Sequence, residues 1–201
     1  MSFHNRDFAV GEARRFLEPG PIVLVSSAWK NQQNIMTMGW HMVMGFVPSL
    51  LACYIWEENH SVDMIRRSKQ CVINLPTREL VDTVAGIGNC SGADTDKFVK
   101  FGLTARKASR VDAPLIAECH SNFECQLYDG SQIGKHGLFI WEVVKAQVAT
   151  TPKIPQTVHT AATESSWCRA RISRGAAASN RRTCKHFVPN GVARLQRASR
   201  A

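Results

Sequence analysis

No run of apolar residues in this 201-residue chain approaches the roughly 20 that a membrane-crossing helix needs. Trp40-His41 and Glu57-Glu58 interrupt the longest candidate. The opening MSFHNRDFAVGEARRF carries charges where a cleaved leader needs a continuous apolar segment, so a soluble cytoplasmic protein is expected. Metal-site spacing is missing as well: Cys119-His120 with Cys125 lacks a second ligand pair, and Phe123 to Tyr128 reads as a strand. The seven cysteines are odd in number and sit in apolar surroundings such as Ala52-Cys53-Tyr54, which favours free thiols over a disulfide framework. Gly86-Ile-Gly88-Asn-Cys-Ser-Gly92 has neither the spacing of a dinucleotide fingerprint nor a strand before it. A catalytic triad and paired carboxylates are also lacking, which argues against chemistry carried by a protein nucleophile.

What is there fits one domain of ordinary size. The apolar fraction of 44% is that of a globular protein. The formal net charge of +9 looks at first like a nucleic-acid signal. Its distribution says otherwise: residues 160–201 hold nine Lys and Arg against the single acid Glu164, so residues 1–159 are almost neutral with 16 basic and 15 acidic residues. The chain divides there into a domain, 1–159, and a basic tail, 160–201, rich in Ala, Arg and Ser. Three readings of the tail stand side by side: a disordered extension, a contact for nucleic acid or an acidic partner, and a shift of coding frame near His159.

Ile22 to Trp29 is rich in β-branched residues and predicts a buried strand. Lys30 to Asn34 predicts a polar hairpin turn, and Ile35 to Trp40 the returning strand. His41 to Val47 is uneven, with methionine and valine residues around Gly45. Ser49 to Trp56 predicts a long central strand, Ser61 a helix N-cap with Met64, Ile65 and Ser68 at helical spacing, and Gln70 to Leu75 the next strand. Thr77 caps a helix reaching Gly86, Asp94 to Phe98 starts a short helix, and Leu103-Thr104 is a candidate short strand. Ser121 to Tyr128 and His136 to Val148 are expected to pair, and Val10 to Phe16 forms a short helical turn. Many strands with interleaved short helices indicate a closed or split barrel carrying peripheral helices, not a doubly wound parallel sheet.

Asn34-Ile-Met-Thr37-Met-Gly-Trp40, Pro48, the Trp56-Glu-Glu-Asn-His-Ser61 corner, Val72-Ile-Asn74-Leu-Pro76, Asn89-Cys-Ser-Gly-Ala-Asp-Thr-Asp-Lys-Phe98, the run from Lys107 to Ile116 and Asn122-Phe-Glu-Cys125 follow one another in an order that resembles the flavoredoxin branch of the flavin reductase-like family. The likeness runs from about Phe16 to His159. It departs at Val47-Pro48, where the family usually has a Pro-Pro pair, and at Ala85, where it often has cysteine.

The resemblance implies a mainly β fold with peripheral helices, a Greek-key-like split β-barrel that binds FMN, usually as a homodimer, with NADH or NADPH as electron donor. It places Thr37 and Asn34 beside the flavin ring and His60 and Ser61 at the ribityl phosphate. The bland readings remain open: a strand-filling threonine, a turn asparagine, a surface histidine and a helix cap. Gly39 permits close approach of a planar ligand or marks a bulge. Lys97 and Phe98 approach the flavin, or are a helix-surface lysine and a core phenylalanine. With Met36, Met38, Trp56, Glu57, Asn59 and Ser91 these complete the candidate cofactor-binding set. An FMN-dependent oxidoreductase, a flavin-binding electron carrier and a basic interaction protein on a degenerate barrel are the three functions considered. Nucleic acid rests on the tail alone.

Overall fold

The computed structural model describes residues 3–10, 20–160 and 170–172. Its frame is one antiparallel sheet built from β1 (Asn5–Phe8), β2 (Val23–Trp29), β3 (Gln32–Met38), β4 (His41–Phe46), β5 (Ser49–Tyr54), β6 (Gln70–Leu75), β9 (Ser121–Asp129) and β10 (Leu138–Ala149). The order across the sheet is β3-β2-β6-β9-β10-β5-β4. The 12-residue β10 is shared on one side: its first half pairs with β5 and its last four residues with β1, while β9 runs along the other side. Two short ribbons, β7 (Ala105–Arg106) with β8 (Leu115–Ile116) and β11 (Val158–Thr160) with β12 (Ala170–Ile172), lie outside the main sheet.

Alternation along each strand decides what fills the interior. Val23 and Val25, Leu51 and Cys53, Cys71, Ile73 and Leu75, and Phe123 and Cys125 all turn into one core, with Phe139 and Trp141 stacked in it. A register shift in β10 between Val143 and Lys145 moves the inward set from odd to even residues, so Ala146 and Val148 keep facing the core. The opposite faces of β2, β3 and β6 are covered too. Leu24 and Ile35 join a second core with Val84, Ile87 and Phe98, and Val72 a third with Val111 and Leu115. Strands buried on both faces read as continuous apolar runs, which is why they were legible.

The polar residues in those runs are accounted for. Asn74 accepts from Ile116 N at 3.1 Å and Asn122 Nδ2 at 2.8 Å, and donates to Leu24 O and Ser26 Oγ. Glu124, fully buried, accepts from the Ser109 amide and hydroxyl and the Arg110 amide, tying the loop before β8 onto β9.

The structure corrects or completes the sequence reading in three places. The turn between β2 and β3 has two residues, with Lys30 in the left-handed region at φ 54°, because Gln32 pairs with Trp29 and Asn34 with Ser27 in the ladder. His41 to Phe46 is a strand: His41, Val43 and Gly45 face inward, but the outward residues are Met42, Met44 and Phe46, so the period is masked by apolar side chains on both faces. Leu103-Thr104 forms no strand; the short strand is the next pair of residues. Asn5–Phe8 is a further strand. Residues 11–16 of the expected N-terminal turn, and most of the tail, lie outside the described residues. Among the described residues no helix is long and apolar enough to cross a membrane.

Candidate functional site

Among the described residues four helices sit around the β3 end of the sheet and below β10: α1 (Ser61–Ser68), α2 (Val81–Gly88), α3 (Lys97–Lys100) and α4 (Ile133–His136). Helix α1 begins where the chain leaves β5. Val62, Met64 and Ile65 bury its inner face while Arg66 and Arg67 end its outer one. Ser61 is the first helical residue, and His60 before it makes no side-chain cap bond. The cap comes from Asn59, whose Oδ1 accepts from Ser61 N at 3.0 Å. Thr77 likewise precedes a single 3-10 turn, Arg78–Leu80, and its hydroxyl donates to Glu79 instead of capping α2.

The inner part of the site is tightly bonded. Asn34 is 3% exposed and donates from Nδ2 to Ser61 Oγ at 2.9 Å, which joins β3 to the start of α1. Gly92 lies against the Asn34 carboxamide: a Cβ there would stand 2.6 Å from Nδ2 and closer still to Oδ1. Thr37 donates to Val84 O at 2.7 Å and a Cβ at Gly88 would stand 3.5 Å from its hydroxyl, so β3 carries α2 on its outer face. Lys97 is 5% exposed and donates from Nζ to Ile87 O at 3.0 Å. Burial holds its ammonium below the usual lysine range, with nearby Cys90 opposing and Lys100 adding to that shift. Asp96 caps α3 through the Phe98 and Val99 amides.

The structure therefore brings Asn34, Thr37, Ser61 and Lys97 together around β3. Met36 and Met38 turn into the barrel core and Phe98 into the second core. Trp56, Glu57 and His60 are exposed along the β5–α1 corner, Asn59 and Gly39 half-buried, and Ser91 exposed with its hydroxyl accepting from Ala93 N at 3.1 Å.

An open cleft of about 530 Å³ lies between the β2–β3 turn, residues 29–32, and one flank of α1 made by His60, Asp63, Met64 and Arg67. Sequence reasoning missed Trp29, Lys30 and Asp63 here. The signal was available: 60, 63, 64 and 67 are spaced for one helix face. Lys30, Asp63 and Arg67 form no ion pair with a described residue.

The donor set fits a phosphorylated flavin in part. His60 and Arg67 suit a phosphate, whereas the first two amides of α1 already donate to Asn59, Ser61 N to its Oδ1 and Val62 N to its carbonyl. The Thr37 hydroxyl, having given its proton to Val84 O, retains acceptor capacity only. No group of three metal-ligating side chains that could hold an ion occurs among the described residues.

The family model described as flavin reductase like domain matches residues 14–162. An uncharacterized protein of Archaeoglobus fulgidus is 33% identical over 111 residues, which span 55% of this chain and 63% of that protein's length. Among solved structures, an FMN-binding domain of a flavin reductases-like enzyme from Shewanella baltica superposes with TM-score 0.78 at 22% identity, covering 90% of this chain and 100% of that one. Flavoredoxin of Desulfovibrio vulgaris gives TM-score 0.69 at 23% identity, covering 80% and 90%. At such identities the two structures speak for the fold, an FMN-binding type of split barrel.

Proposed function

The chain belongs to the flavin reductase-like family, and on that premise we propose that it is an FMN-dependent oxidoreductase that takes electrons from NADH or NADPH and passes them to flavin or, through bound FMN, to an acceptor. The observation that carries this reading is the joining of β3 to the start of α1, with Asn34 and Ser61 locked together beneath an exposed, cation-bearing corner. FMN supplies a two-electron acceptor when bound, a chemistry that needs positioning from the protein and no nucleophile of its own. In this reading His60, with Arg67, holds the phosphate. Thr37 offers its oxygen to a donor on the ring edge, and Gly88 and Gly92 keep the backbone of the covering segment close to β3. Asn34 acts through Ser61 by fixing where the helix starts.

The reading extends to a homodimer in the cytoplasm. Strand β4 ends the sheet, and its outward side chains Met42, Met44 and Phe46, with Trp40 and Val47 flanking it, are 46–94% exposed, an apolar face of the kind that a second copy would cover. Phe46→Glu is expected to shift sedimentation from dimer to monomer.

Anaerobic mixing of the FMN-loaded protein with NADH and with NADPH is the deciding experiment. Rapid bleaching of the flavin absorbance with either donor supports the reductase. Bleaching by dithionite alone would assign the chain to the second reading, an electron carrier without reductase activity. A protein that takes up no FMN at all would remove both.

A further inference from the structure

The segment that follows α2 brings a thiol and a buried ammonium to one point, a pairing that flavin binding does not require. Of the five described free cysteines, Cys53, Cys71, Cys119 and Cys125 are buried and Cys90 alone is half-buried. Burial pushes the Cys53, Cys71 and Cys119 thiols well above the usual thiol range, which makes them inert. Cys90 lies just past the end of α2, and its thiol donates to Ile87 O at 3.8 Å. Lys97 Nζ, on α3, donates to the same oxygen at 3.0 Å. The two side chains therefore converge on a single carbonyl from two different elements.

The ammonium is the unusual partner. Lys97 is 5% exposed, and its N–H groups meet a single acceptor among the described residues, Ile87 O, although an ammonium carries three donors. A buried cation so placed calls for a further acceptor, and an anion beside it would supply one. The carbonyl end of α2 by itself disfavours negative charge, so a thiolate at Cys90 depends on Lys97. Burial also holds the Lys97 ammonium below the usual lysine range, Cys90 opposes that shift and Lys100 adds to it. Its amine form is thereby brought within reach. The neighbouring acids do not neutralise it: Asp94 is exposed, and Asp96 spends its carboxylate on the Phe98 and Val99 amides.

We propose that Cys90 is an oxidative modification site that takes a hydroperoxide, with Lys97 receiving the thiol proton and holding the oxidised sulfur. Lys97 in its amine form takes the proton from Cys90 Sγ. The thiolate attacks one oxygen of hydrogen peroxide: an S–O bond forms as the O–O bond breaks, sulfur gives up two electrons and the peroxide takes them. The hydroxide that leaves takes the proton from Lys97 and departs as water. Cys90 is left as a sulfenic acid, whose oxygen is a new acceptor for the Lys97 N–H groups. The oxidant comes from outside the protein, so the step is independent of bound flavin.

The full-length protein is treated with hydrogen peroxide in the presence of dimedone, which traps sulfenic acids, and each cysteine peptide is read separately by mass spectrometry. Cys90 is expected to be trapped, with Cys53, Cys71, Cys119 and Cys125 unlabelled. It should react about tenfold faster in the native protein than after unfolding in urea, because only the fold brings Lys97 to it. Lys97→Met fills the space of the lysine stem and removes the base. That variant should slow Cys90 about tenfold and move the pH profile of its reaction upward, which a packing defect alone would not do. A thermal midpoint measured beside each rate shows that the variant is folded, and for a variant that does not fold the native-to-unfolded ratio of the wild type decides alone. Cys90 labelling no greater than that of the buried cysteines overturns the proposal. So does a native rate equal to or below the unfolded one, or a folded Lys97→Met with wild-type rate and pH profile.

Discussion

The two sides of the β5–α1 corner are made from neighbouring residues and spend their polar groups in opposite ways. On the inner side, Asn34, Asn59 and Ser61 are bonded to one another and to the helix backbone, with Gly92 laid against them. On the outer side, Lys30, Asp63 and Arg67 line an open cleft with no ion pair among described residues. Burial forces the difference: a polar atom removed from water must find a partner, and once found that partner is no longer available to a ligand. Motif residues on the inner side therefore hold the corner's shape. The cations of the outer side, Lys30 and Arg67, are residues that the motif alone does not single out.

The comparison breaks most visibly at Gly92. Alanine there puts a methyl group into the Asn34 carboxamide, and overpacking of this kind costs about 1–3 kcal/mol. Combining Gly92→Ala with Asn34→Ala should restore part of that loss, because the second change removes the group that the methyl strikes. Urea midpoints of the four proteins in the cycle check it. Purely additive losses would mean that Gly92 and Asn34 do not share the corner.

Thr37 probes the inner side one step along β3. Thr37→Val keeps the shape and deletes the bond to Val84 O, leaving that carbonyl short of a partner at about 1–2 kcal/mol. An unchanged urea midpoint would show that α2 does not depend on this contact.

The strands of the barrel were legible because their apolar runs are continuous, and the family because its motifs come in order. Other parts were hidden for physical reasons. Strand β4 carries methionine and phenylalanine on its open face, so no polar alternation marks it. Asn34 reads as a turn residue because asparagine favours turns, whereas the ladder places it inside β3, opposite Ser27. Lys97 reads either as a residue near the flavin or as a surface lysine on a short helix; it is buried, and its ammonium reaches Ile87 O, a contact ten residues back that no local pattern announces. The cleft needed Trp29 and Lys30 to meet a helix some thirty residues later, which only the fold supplies.

Histidines extend the same contrast to pH. His41 and His120 are bonded on the inner side of the protein, to Pro21 O at 2.8 Å and to Pro152 O at 2.8 Å. Burial lowers both imidazoles below their usual 6.5, with the backbone bonds acting partly against it. A group whose folded pKa is lowered binds fewer protons folded than unfolded near that value. Its stabilising contribution is thus complete above about 6.5 and is lost as pH falls through the folded pKa. Thermal midpoints measured from pH 7.5 down to 5 should decline, and His41→Gln or His120→Gln should flatten the decline relative to neutral pH. A midpoint level across that range would count against both.

The finest division is between adjacent arginines on α1. Arg66 and Arg67 have the same chemistry and are both exposed, but only Arg67 lines the cleft. Neither forms an ion pair with a described residue, so glutamine at either position should leave stability within about 0.5 kcal/mol of wild type. Affinity should separate them. Arg67→Gln is expected to weaken a phosphate-bearing ligand by about tenfold at low salt, the loss of one charge-assisted contact, and Arg66→Gln to change it less than twofold. Raising the salt should shrink the gap, since exposed charges are screened over about 10 Å at 0.1 M. If the two variants weaken binding equally, the helix acts as a diffuse basic surface, and the outer side of the corner is not a shaped site.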